Sequence, residues 1–374
     1  MKKTNPTPID MPEEITDSTD ARIQGTCTWI SPSNIALVKY WGKKHEQLPC
    51  NPSISFTLNH AHTRTQLSWE LLTTPRREHV AFEFTFHGQR KPEFEQRIQR
   101  YLDRMSSEIP ELSNYQLHID SENTFPHSSG IASSASAMSA LSAALVDMDH
   151  QIRGLEPIHP DLSADTAQWI SSLSRLGSGS ACRSIFPHAA LWGQTSFPDS
   201  SDLYAIGLEH ILHPHFYHFH DAILLVDQGQ KAVSSSAGHE LMENNPYATI
   251  RYDEARSNIE KLLDILRTGA LEEFVLLTEA EALSLHALMM ASSPGYILMH
   301  PNTIEIIHRI REFRTSSGLP VCFTLDAGPN AHLLYPEFAR KKVLEFIQAE
   351  LVPLCNEGRW IDDHMGPGIQ KINQ

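Results

Sequence analysis

The stretch FPHSSGIASSASAMSALSAAL, from Phe125 to Leu145, sets one glycine among serines and continues as a run of small residues. After Gly130 the larger apolar side chains recur at steps of three, four and seven residues, without a further glycine or proline until the run ends. That spacing places them on one face of a helix, and the alanine content favours a helix over a flexible linker. The stretch therefore predicts a loop that leads directly into a helix.

The start of this helix is a candidate phosphate site. Free backbone N–H groups and the positive end of the helix dipole attract anions at such a position. Gly130 permits close approach of the backbone, and serines on both sides of it add hydroxyl donors. The loop matches neither the GxxxxGK[ST] pattern nor GxGxxG. A surface turn whose serines only cap the helix is the alternative.

The composition is typical of a folded globular protein, with 41% hydrophobic and 20% charged residues. A length of 374 residues predicts two domains. The formal net charge of −15 argues against partners such as nucleic acid or an anionic membrane surface, because both require positive patches. A small anionic ligand is compatible with this charge, since a few local lysines and arginines suffice to bind it.

The cysteines and the N-terminus favour a cytoplasmic protein. The five cysteines include no CxxC pair, so neither a disulfide framework nor a zinc ribbon is expected. No apolar core of a signal peptide follows the first lysines, and no run of 18 apolar residues predicts a membrane span. Residues 1–20 are polar and predict a flexible tail.

The periodicity of apolar residues predicts an α+β fold. Strands are expected at 26–30, 53–58, 64–71, 80–86, 115–119, 189–193, 221–227, 321–327 and 331–335. Besides the helix after Gly130, helices are expected at 92–108, 163–175, 234–244, 246–267, 270–291, 302–316 and 337–350. An irregular segment rich in histidine and proline, 207–220, marks the expected boundary between an N-terminal domain, 21–218, and a C-terminal domain, 219–374.

Two further stretches offer cations to an anionic substrate. SPSNIALVKYWGKK, residues 31–44, places three lysines around Tyr40, and both side-chain types can bind phosphate oxygens. SRLGSGSACRS, residues 174–184, combines flexible glycines and serine hydroxyls with Arg183, whose guanidinium fits a carboxylate. A strand end with solvated lysines and a surface turn with a salt-bridged arginine are the alternatives.

Two more stretches carry candidate chemistry. In TLDAGPN, residues 324–330, Asp326 ends an apolar strand and could serve as a general base or a metal ligand, or form a simple Asx turn. KAVSSSAGH, residues 231–239, places a lysine and three serines at a helix start, where capping is the alternative. The 21 histidines show no HExxH-type metal spacing and receive no role.

In this order, the motifs resemble those of the diphosphomevalonate decarboxylases of the GHMP kinase superfamily. The matching stretches are NIALVKYWGK, NPSISFTL, FPHSSGIASSAS, GSGSACRS, KAVSSSAGH and DAGPN, spread from about residue 25 to 335. The resemblance implies an N-terminal half like domain 2 of ribosomal protein S5, a ferredoxin-like C-terminal half, and a site in the cleft between them. It also implies ATP-dependent decarboxylation of mevalonate 5-diphosphate to isopentenyl diphosphate, with Mg²⁺ as cofactor and a homodimeric assembly.

The resemblance implies roles residue by residue. Asp326 would orient or deprotonate the substrate's 3-hydroxyl, Arg183 would bind its carboxylate, and Lys43 would complete the catalytic set. The implied substrate contacts are Tyr40, Lys43, Lys44, Ser178, Ser180 and Arg183. The implied contacts to ATP phosphates are Ser128, Ser129, Gly130, Ser133, Ser134, Ser136, Lys231, Ser234 and Ser235. Protein ligands of Mg²⁺ are not identified, and the ion is expected to be held mainly by the ATP phosphates.

Two other functions compete with decarboxylation. A related kinase would phosphorylate mevalonate at its 3-position and stop, and it would show altered diphosphate contacts around residues 40–44 and 178–180. Those contacts are intact in the sequence. A nucleotide-binding protein without turnover is the second alternative, against which the joint presence of Asp326, Arg183 and the serine loop argues.

Overall fold

The structure is a computed structural model that describes residues 23–76, 78–126, 131–156, 158–159, 161–227, 229, 233 and 235–372. Two sheets organise these residues, each covered by helices, as the α+β prediction requires. Among the described helices, none is both long enough and apolar enough to cross a bilayer.

The first half is built on a mixed eight-stranded sheet. Its strands are β1 (Gln24–Val38), β2 (Ser53–Leu71), β3 (Ala81–Phe86), β4 (Gln89–Arg90), β5 (Tyr115–Asn123), β6 (Ala189–Trp192), β7 (Ala205–Gly207) and, from the far end of the chain, β12 (Gln370–Ile372). The main path runs β12-β1-β2-β5-β3-β4, β6 pairs with the start of β2, and β7 pairs with β6. The pairing of β3 with β5 is parallel and the others are antiparallel.

In this sheet β1 and β2 differ most from the prediction, β5 is four residues longer than predicted, and β4, β7 and β12 were not predicted. β2 is one strand of 19 residues, whereas two strands at 53–58 and 64–71 were expected. In the polar segment between them, residues 58–61 have no partner in β1, and the N–H groups of Asn59, His60 and Ala61 donate to Asp363 instead, which keeps the chain extended. β1 extends beyond 26–30 through Pro32, and the register shifts between Pro32 and Asn34. A bulge of this kind lets a proline lie within a strand.

Three helices cover one face of the first sheet: α1 (Pro92–Met105), α2 (Ser133–Ile152) and α3 (Ala164–Gly177). α2 confirms the helix predicted after Gly130. Its small residues let it lie close to the sheet, where nearly all of them are buried. Ser139 Oγ lies 2.5 Å from Ser31 Oγ of β1, so the serines of this helix also bind the sheet through hydrogen bonds.

The second half contains an antiparallel four-stranded sheet in the order β11-β8-β10-β9. Its strands are β8 (His220–Leu224), β9 (Cys322–Leu325), β10 (Ala331–Tyr335) and β11 (Trp360–His364). Its helices are α4 (Ser235–Glu240), α5 (Ala248–Thr268), α6 (Leu271–Met290), α7 (Pro301–Ser317) and α8 (Arg340–Phe346). The predicted helices at 246–267, 270–291 and 302–316 are confirmed within two residues at each end. The one predicted at 337–350 is shorter, because 3₁₀ and π turns flank α8.

Contacts between the two halves include an aromatic cluster and a returning strand. Phe56 of β2 contacts the rings of Phe219 and Phe274 of the second half, with centroids 5.8 Å away, and that of Phe216 just before them. In addition, β12 returns from the second half to pair with β1.

The strand β12 is also fixed by an ion pair. The ammonium of Lys371 lies 2.9 Å from the carboxylate of Asp147, a buried residue of α2. The same carboxylate accepts a hydrogen bond from the indole of Trp29 at 3.0 Å. The end of the described chain is therefore part of the first sheet's packing.

Candidate active site

A cavity of about 570 Å³ is lined by residues of both halves. Its volume lies in the range of small-molecule sites. Among the described residues, its lining includes most of the predicted site, namely Tyr40, Lys43, Ser133, Ser134, Ser178, Ser180, Arg183 and Asp326. Segments that are far apart in the sequence therefore meet in one pocket.

Asp326 presents its carboxylate at the end of β9. Its Oδ1 accepts a hydrogen bond from the ammonium of Lys39, with an N–O distance of 3.2 Å. Lys39 is 2% exposed and Asp326 is 24% exposed, so the carboxylate lies on the open side of the pair. Burial lowers the pKa of Lys39, and the Asp326 carboxylate opposes this shift. The backbone of Asp326 is held as well, since its carbonyl accepts a hydrogen bond from His286 Nε2 at 3.1 Å.

A buried acidic network fixes the backbone beside this pair. The N–H of Lys39 donates to Glu281 of α6 at 3.0 Å. The same carboxylate accepts two bonds from the guanidinium of Arg251 and one, at 2.6 Å, from the amide of Asn258. Because every member is hydrogen-bonded, the network holds the end of β1 rigidly against α5 and α6.

Arg183 lies in a 3₁₀ turn, Gly179–Ile185, that follows α3. Its guanidinium donates to Ser53 Oγ and, at 3.2 Å, to Asn34 Oδ1. Burial lowers the pKa of this side chain, which is 2% exposed. No carboxylate of the described residues forms a salt bridge with Arg183. Its two partners are neutral, so its charge is available to an anion in the cavity.

Tyr40 contributes a free hydroxyl. Within the described part of the chain, its buried Oη has no hydrogen-bond partner, and burial raises the pKa of this phenol. A Cβ at Gly179 would lie 2.8 Å from that oxygen, so the turn needs a glycine at this position. The other side of the ring faces His239, with centroids 4.5 Å apart. His239 Nδ1 accepts from the N–H of Gly42, and burial lowers the pKa of His239 to about 3.

The serines of α2 divide into two groups. Ser133 and Ser134 line the cavity at the first turn of the helix, and Ser134 Oγ lies 3.1 Å from Ser178 Oγ. Ser136 is fully buried, and its hydroxyl lies 2.6 Å from that of Thr63 on β2. Ser136, which was predicted to contact phosphate, therefore lies on the sheet side of the helix and does not line the cavity.

The remaining predicted residues vary in position. Lys43 lines the cavity, whereas Lys44 is exposed and lies outside its lining. The other predicted ATP contacts fall outside the described residues or, for Ser235, on a side chain that is not described: Ser128, Ser129, Gly130, Lys231, Ser234 and Ser235.

The far end of the cavity is apolar. The aromatic rings of Phe84, Phe86 and Phe94 line it together with Ile98 and Met138. These side chains come from β3, α1 and α2, and they offer a surface on which a flat ring system could pack. The cavity thus combines the charged groups of Arg183 and Asp326, the serines at the start of α2, and this apolar surface.

Lys39 was predicted only as one of three lysines that could bind phosphate, and neither its pairing with Asp326 nor this apolar end was predicted. In the sequence, the apolar surroundings of Lys39 indicate the interior of a strand. That context was the available signal, because a lysine among buried residues requires a carboxylate partner. The residues of the apolar end are dispersed over three elements, and sequence spacing does not connect them.

Comparison with family models gives two matches in chain order. Residues 31–205 match the diphosphomevalonate decarboxylase-like N-terminal domain, and residues 222–366 match the mevalonate 5-diphosphate decarboxylase C-terminal domain. Among related sequences, the diphosphomevalonate decarboxylase of Saccharomyces cerevisiae is 30% identical, over 86% of this chain and 81% of its own length. That of Ganoderma lucidum is 29% identical, over 85% and 80%.

Solved structures agree with these matches. Mevalonate diphosphate decarboxylase from Staphylococcus aureus is 27% identical and superposes with a TM-score of 0.78, covering 94% of this chain and 98% of its own. A complex described as MDDEF with MVAPP, AMPPCP and magnesium is 25% identical, with a TM-score of 0.77 over 94% of this chain and 100% of that one. The two-half GHMP-kinase fold is thereby confirmed, and the chain belongs to the diphosphomevalonate decarboxylase family.

Proposed function

We propose that the protein catalyses the ATP-dependent decarboxylation of mevalonate 5-diphosphate to isopentenyl diphosphate, releasing ADP, phosphate and CO₂. The observation that carries this proposal is the shared cavity, which is lined by Arg183, Asp326 and the first turn of α2. Two observations on related proteins support the same activity. The related sequences are named diphosphomevalonate decarboxylase, and the similar structure MDDEF is a complex with MVAPP and the ATP analogue AMPPCP.

The first chemical step is phosphoryl transfer to the tertiary 3-hydroxyl. Such an alcohol is a crowded and weak nucleophile, so correct placement against ATP supplies much of the rate. Asp326 orients the hydroxyl or accepts its proton, and Lys39 holds the carboxylate in place through the 3.2 Å bond. Lys39 acts as a positioning residue in this scheme, since its ammonium is buried behind the carboxylate.

The second step breaks two bonds. The C3–O bond to the new phosphate cleaves, positive charge develops at C3, and the electrons of the bond to the carboxylate form the C=C double bond as CO₂ leaves. Arg183 binds the carboxylate while it is still attached. Its partners Ser53 and Asn34 fix the guanidinium, so the carboxylate is oriented without being protonated.

The nucleotide fits the rest of the cavity. Its phosphates lie at the first turn of α2, where Ser133 and Ser134 line the wall, and its base occupies the apolar end formed by the three phenylalanines. Among the described residues that line the cavity, Asp326 is the sole carboxylate. Mg²⁺ prefers oxygen ligands, so the ATP phosphates would mainly hold it, and it would offset their charge during phosphoryl transfer. Lys43 and Tyr40 complete the anion-binding wall, and the undescribed serines and Lys231 remain predicted phosphate contacts.

Measurement of both products tests the proposal. The protein is incubated with ATP, Mg²⁺ and mevalonate 5-diphosphate, and ADP and CO₂ are followed together. Equal release of both is the expected result. ADP without CO₂ would identify a kinase of the same superfamily, and ATP binding without either product would identify a nucleotide-binding protein without turnover.

Assembly, location and domain limits form a separate part of the proposal. We infer a homodimer in the cytoplasm, with an N-terminal domain at 21–218 and a C-terminal domain at 219–374. The family and the reducing environment favoured by five cysteines without a CxxC pair support this inference. Light scattering coupled to size exclusion tests the assembly, and a monomeric mass would contradict it.

A further inference from the structure

A second cavity, of about 320 Å³, lies where β2 of the first sheet approaches the second sheet. Four histidines line it with two acids and an arginine: His60, His218, His220, His364, Glu337, Asp362 and Arg340. In the part of the chain that is described, no residue lines both this cavity and the candidate active site. The proposed decarboxylation uses none of these side chains.

Two of the histidines have donor atoms close to a carboxylate. One ligand atom each of His60, Asp363 and His364 lies within 4.8 Å of the other two. His60 Nδ1 lies 2.7 Å from the carbonyl oxygen of Asp362. A carbonyl oxygen only accepts, so the proton is on Nδ1 and the lone pair is on Nε2. Metal-binding histidines are commonly fixed in their tautomer by such a bond to a backbone carbonyl.

Asp363 holds the two strands in register at this point. Its Oδ1 accepts from the backbone N–H groups of Asn59, His60 and His364, at 2.8 to 2.9 Å. Its Oδ2 accepts one bond, from the N–H of Ala61 at 2.7 Å, and so retains a lone pair. The carboxylate, which is buried just behind the residues that line the cavity, is therefore preorganised between β2 and β11, and its Oδ2 keeps one lone pair.

His220, which also lines the cavity, is likewise held in one tautomer by a hydrogen bond. Its Nε2 lies 2.5 Å from the carboxylate of Glu337. The carboxylate favours the proton on Nε2, which leaves the lone pair on Nδ1. That Nδ1 is buried and has no hydrogen-bond partner among the described residues. The ring lies 6.1 Å from that of His364, and the carboxylate–histidine pair is a common support of metal sites.

We propose that His60, His364 and Asp363 bind a divalent transition-metal ion of the Zn²⁺ type, with the His220–Glu337 pair beside it. Two imidazoles and a carboxylate suit such an ion, whereas Mg²⁺ prefers oxygen ligands in octahedral geometry. Bonds of about 2.0–2.1 Å require donor atoms about 3.4 Å apart. The exposed side chain of His60 supplies the movement that closes the present spacing.

The ion would connect the two halves of the chain. His60 belongs to β2, whereas Asp363 and His364 belong to β11 of the second sheet. A ligand that binds only the folded state raises the melting temperature by mass action. At an ion concentration 100-fold above the Kd, a protein of this length is expected to gain about 3 °C.

Metal binding by the full chain tests the proposal, without nucleotide. Protein stripped with a chelator is titrated with Zn²⁺ against a chromophoric chelator, which suppresses weak binding by other histidines. The wild type is expected to hold one tight equivalent, and His60→Ala to weaken it at least tenfold. The matched control is His62→Ala, two residues further along β2 and outside the cavity lining, which should keep the wild-type affinity and the thermal shift.

A second variant guards against indirect effects. His364→Ala should lose the same equivalent while keeping a wild-type circular dichroism spectrum. Equal affinity of the His60 and His62 variants, or the absence of a saturable equivalent in the wild type, would overturn the site. Loss of binding in the His62 control as well as in the His60 variant would also overturn it, because the effect would then not be specific to the cavity.

Discussion

Replacing Asp326 by alanine removes the counter-ion of a buried ammonium. At the observed 3.2 Å, two unit charges attract by about 5 kcal/mol at an effective dielectric constant of 20. Without the carboxylate, Lys39 either stays charged and unpaired or releases its proton. Release from a lysine of ordinary pKa costs about 5 kcal/mol at pH 7. Breaking a buried pair in this way typically costs about 3–5 kcal/mol, which is the expected loss of unfolding free energy.

The pH dependence of this loss identifies its cause. A basic group whose pKa is lower in the folded than in the unfolded state destabilises the folded protein most below the folded-state pKa. This loss of stability disappears as the pH rises to the pKa that the group has in the unfolded chain. The stability gap between wild type and Asp326→Ala should therefore shrink by up to about 1.4 kcal/mol per unit between pH 7 and 9. Denaturant unfolding at several pH values measures the gap.

The matched control replaces the other partner. In Lys39→Met the remaining carboxylate is 24% exposed and water can reach it, so a loss below about 2 kcal/mol is expected. The double variant should recover most of the stability lost in Asp326→Ala, because no unpaired ammonium is left. Asp326→Ala should also form neither ADP nor CO₂ while binding ATP. Retained turnover, or simple additivity in the double variant, would refute the reasoning.

The other predictions concern the rest of the cavity. Arg183→Lys should raise KM for mevalonate 5-diphosphate about 10- to 100-fold in steady-state assays and leave KM for ATP unchanged, because one ammonium cannot replace the planar fork. Ser134→Ala should raise KM for ATP about 3- to 10-fold at unchanged stability, whereas Ser136→Ala should cost about 1–2 kcal/mol in unfolding experiments at unchanged KM; the reverse pattern would contradict the division of the serines. His239 is half-buried, and its surroundings lower its pKa to about 3, so the stability that it contributes is complete above about pH 6.5 and is lost as the pH falls towards 3. Between pH 7 and 4.5, His239→Gln should lose about 2–3 kcal/mol less stability than the wild type, and equal losses would exclude this role.

Much of the fold was predictable from local pattern. The helix after Gly130 and the long helices of the second half follow from periodic apolar residues. At these positions local helix preference and tertiary packing favour the same structure. The middle of β2 was not predictable in this way. Its polar sequence, NHAHT, is typical of a turn. It stays extended because Asp363 accepts from the N–H groups of Asn59, His60 and Ala61, while His62 and Thr63 pair with β1.

Site residues that lie in short sequence motifs were predictable, whereas those whose role depends on tertiary contacts were not. Arg183 and Asp326 follow from their short motifs. In the sequence, Lys39 resembles Lys43 and Lys44; its burial and its ion pair with Asp326, 287 positions away, appear only in the folded structure. Ser136 lies within the same serine run as Ser134, and only the packing of α2 on β2 separates their roles.

The return of β12 to β1 has a consequence for biosynthesis. The strand Gln24–Val38 leaves the ribosome early, but the residues that cover its outer edge, 370–372, are added about 340 residues later. At about 5–20 residues per second, that edge waits roughly 20 to 70 s for its partner. During this time it can pair with other nascent chains, so chaperone dependence and losses to aggregation should be set by elongation speed.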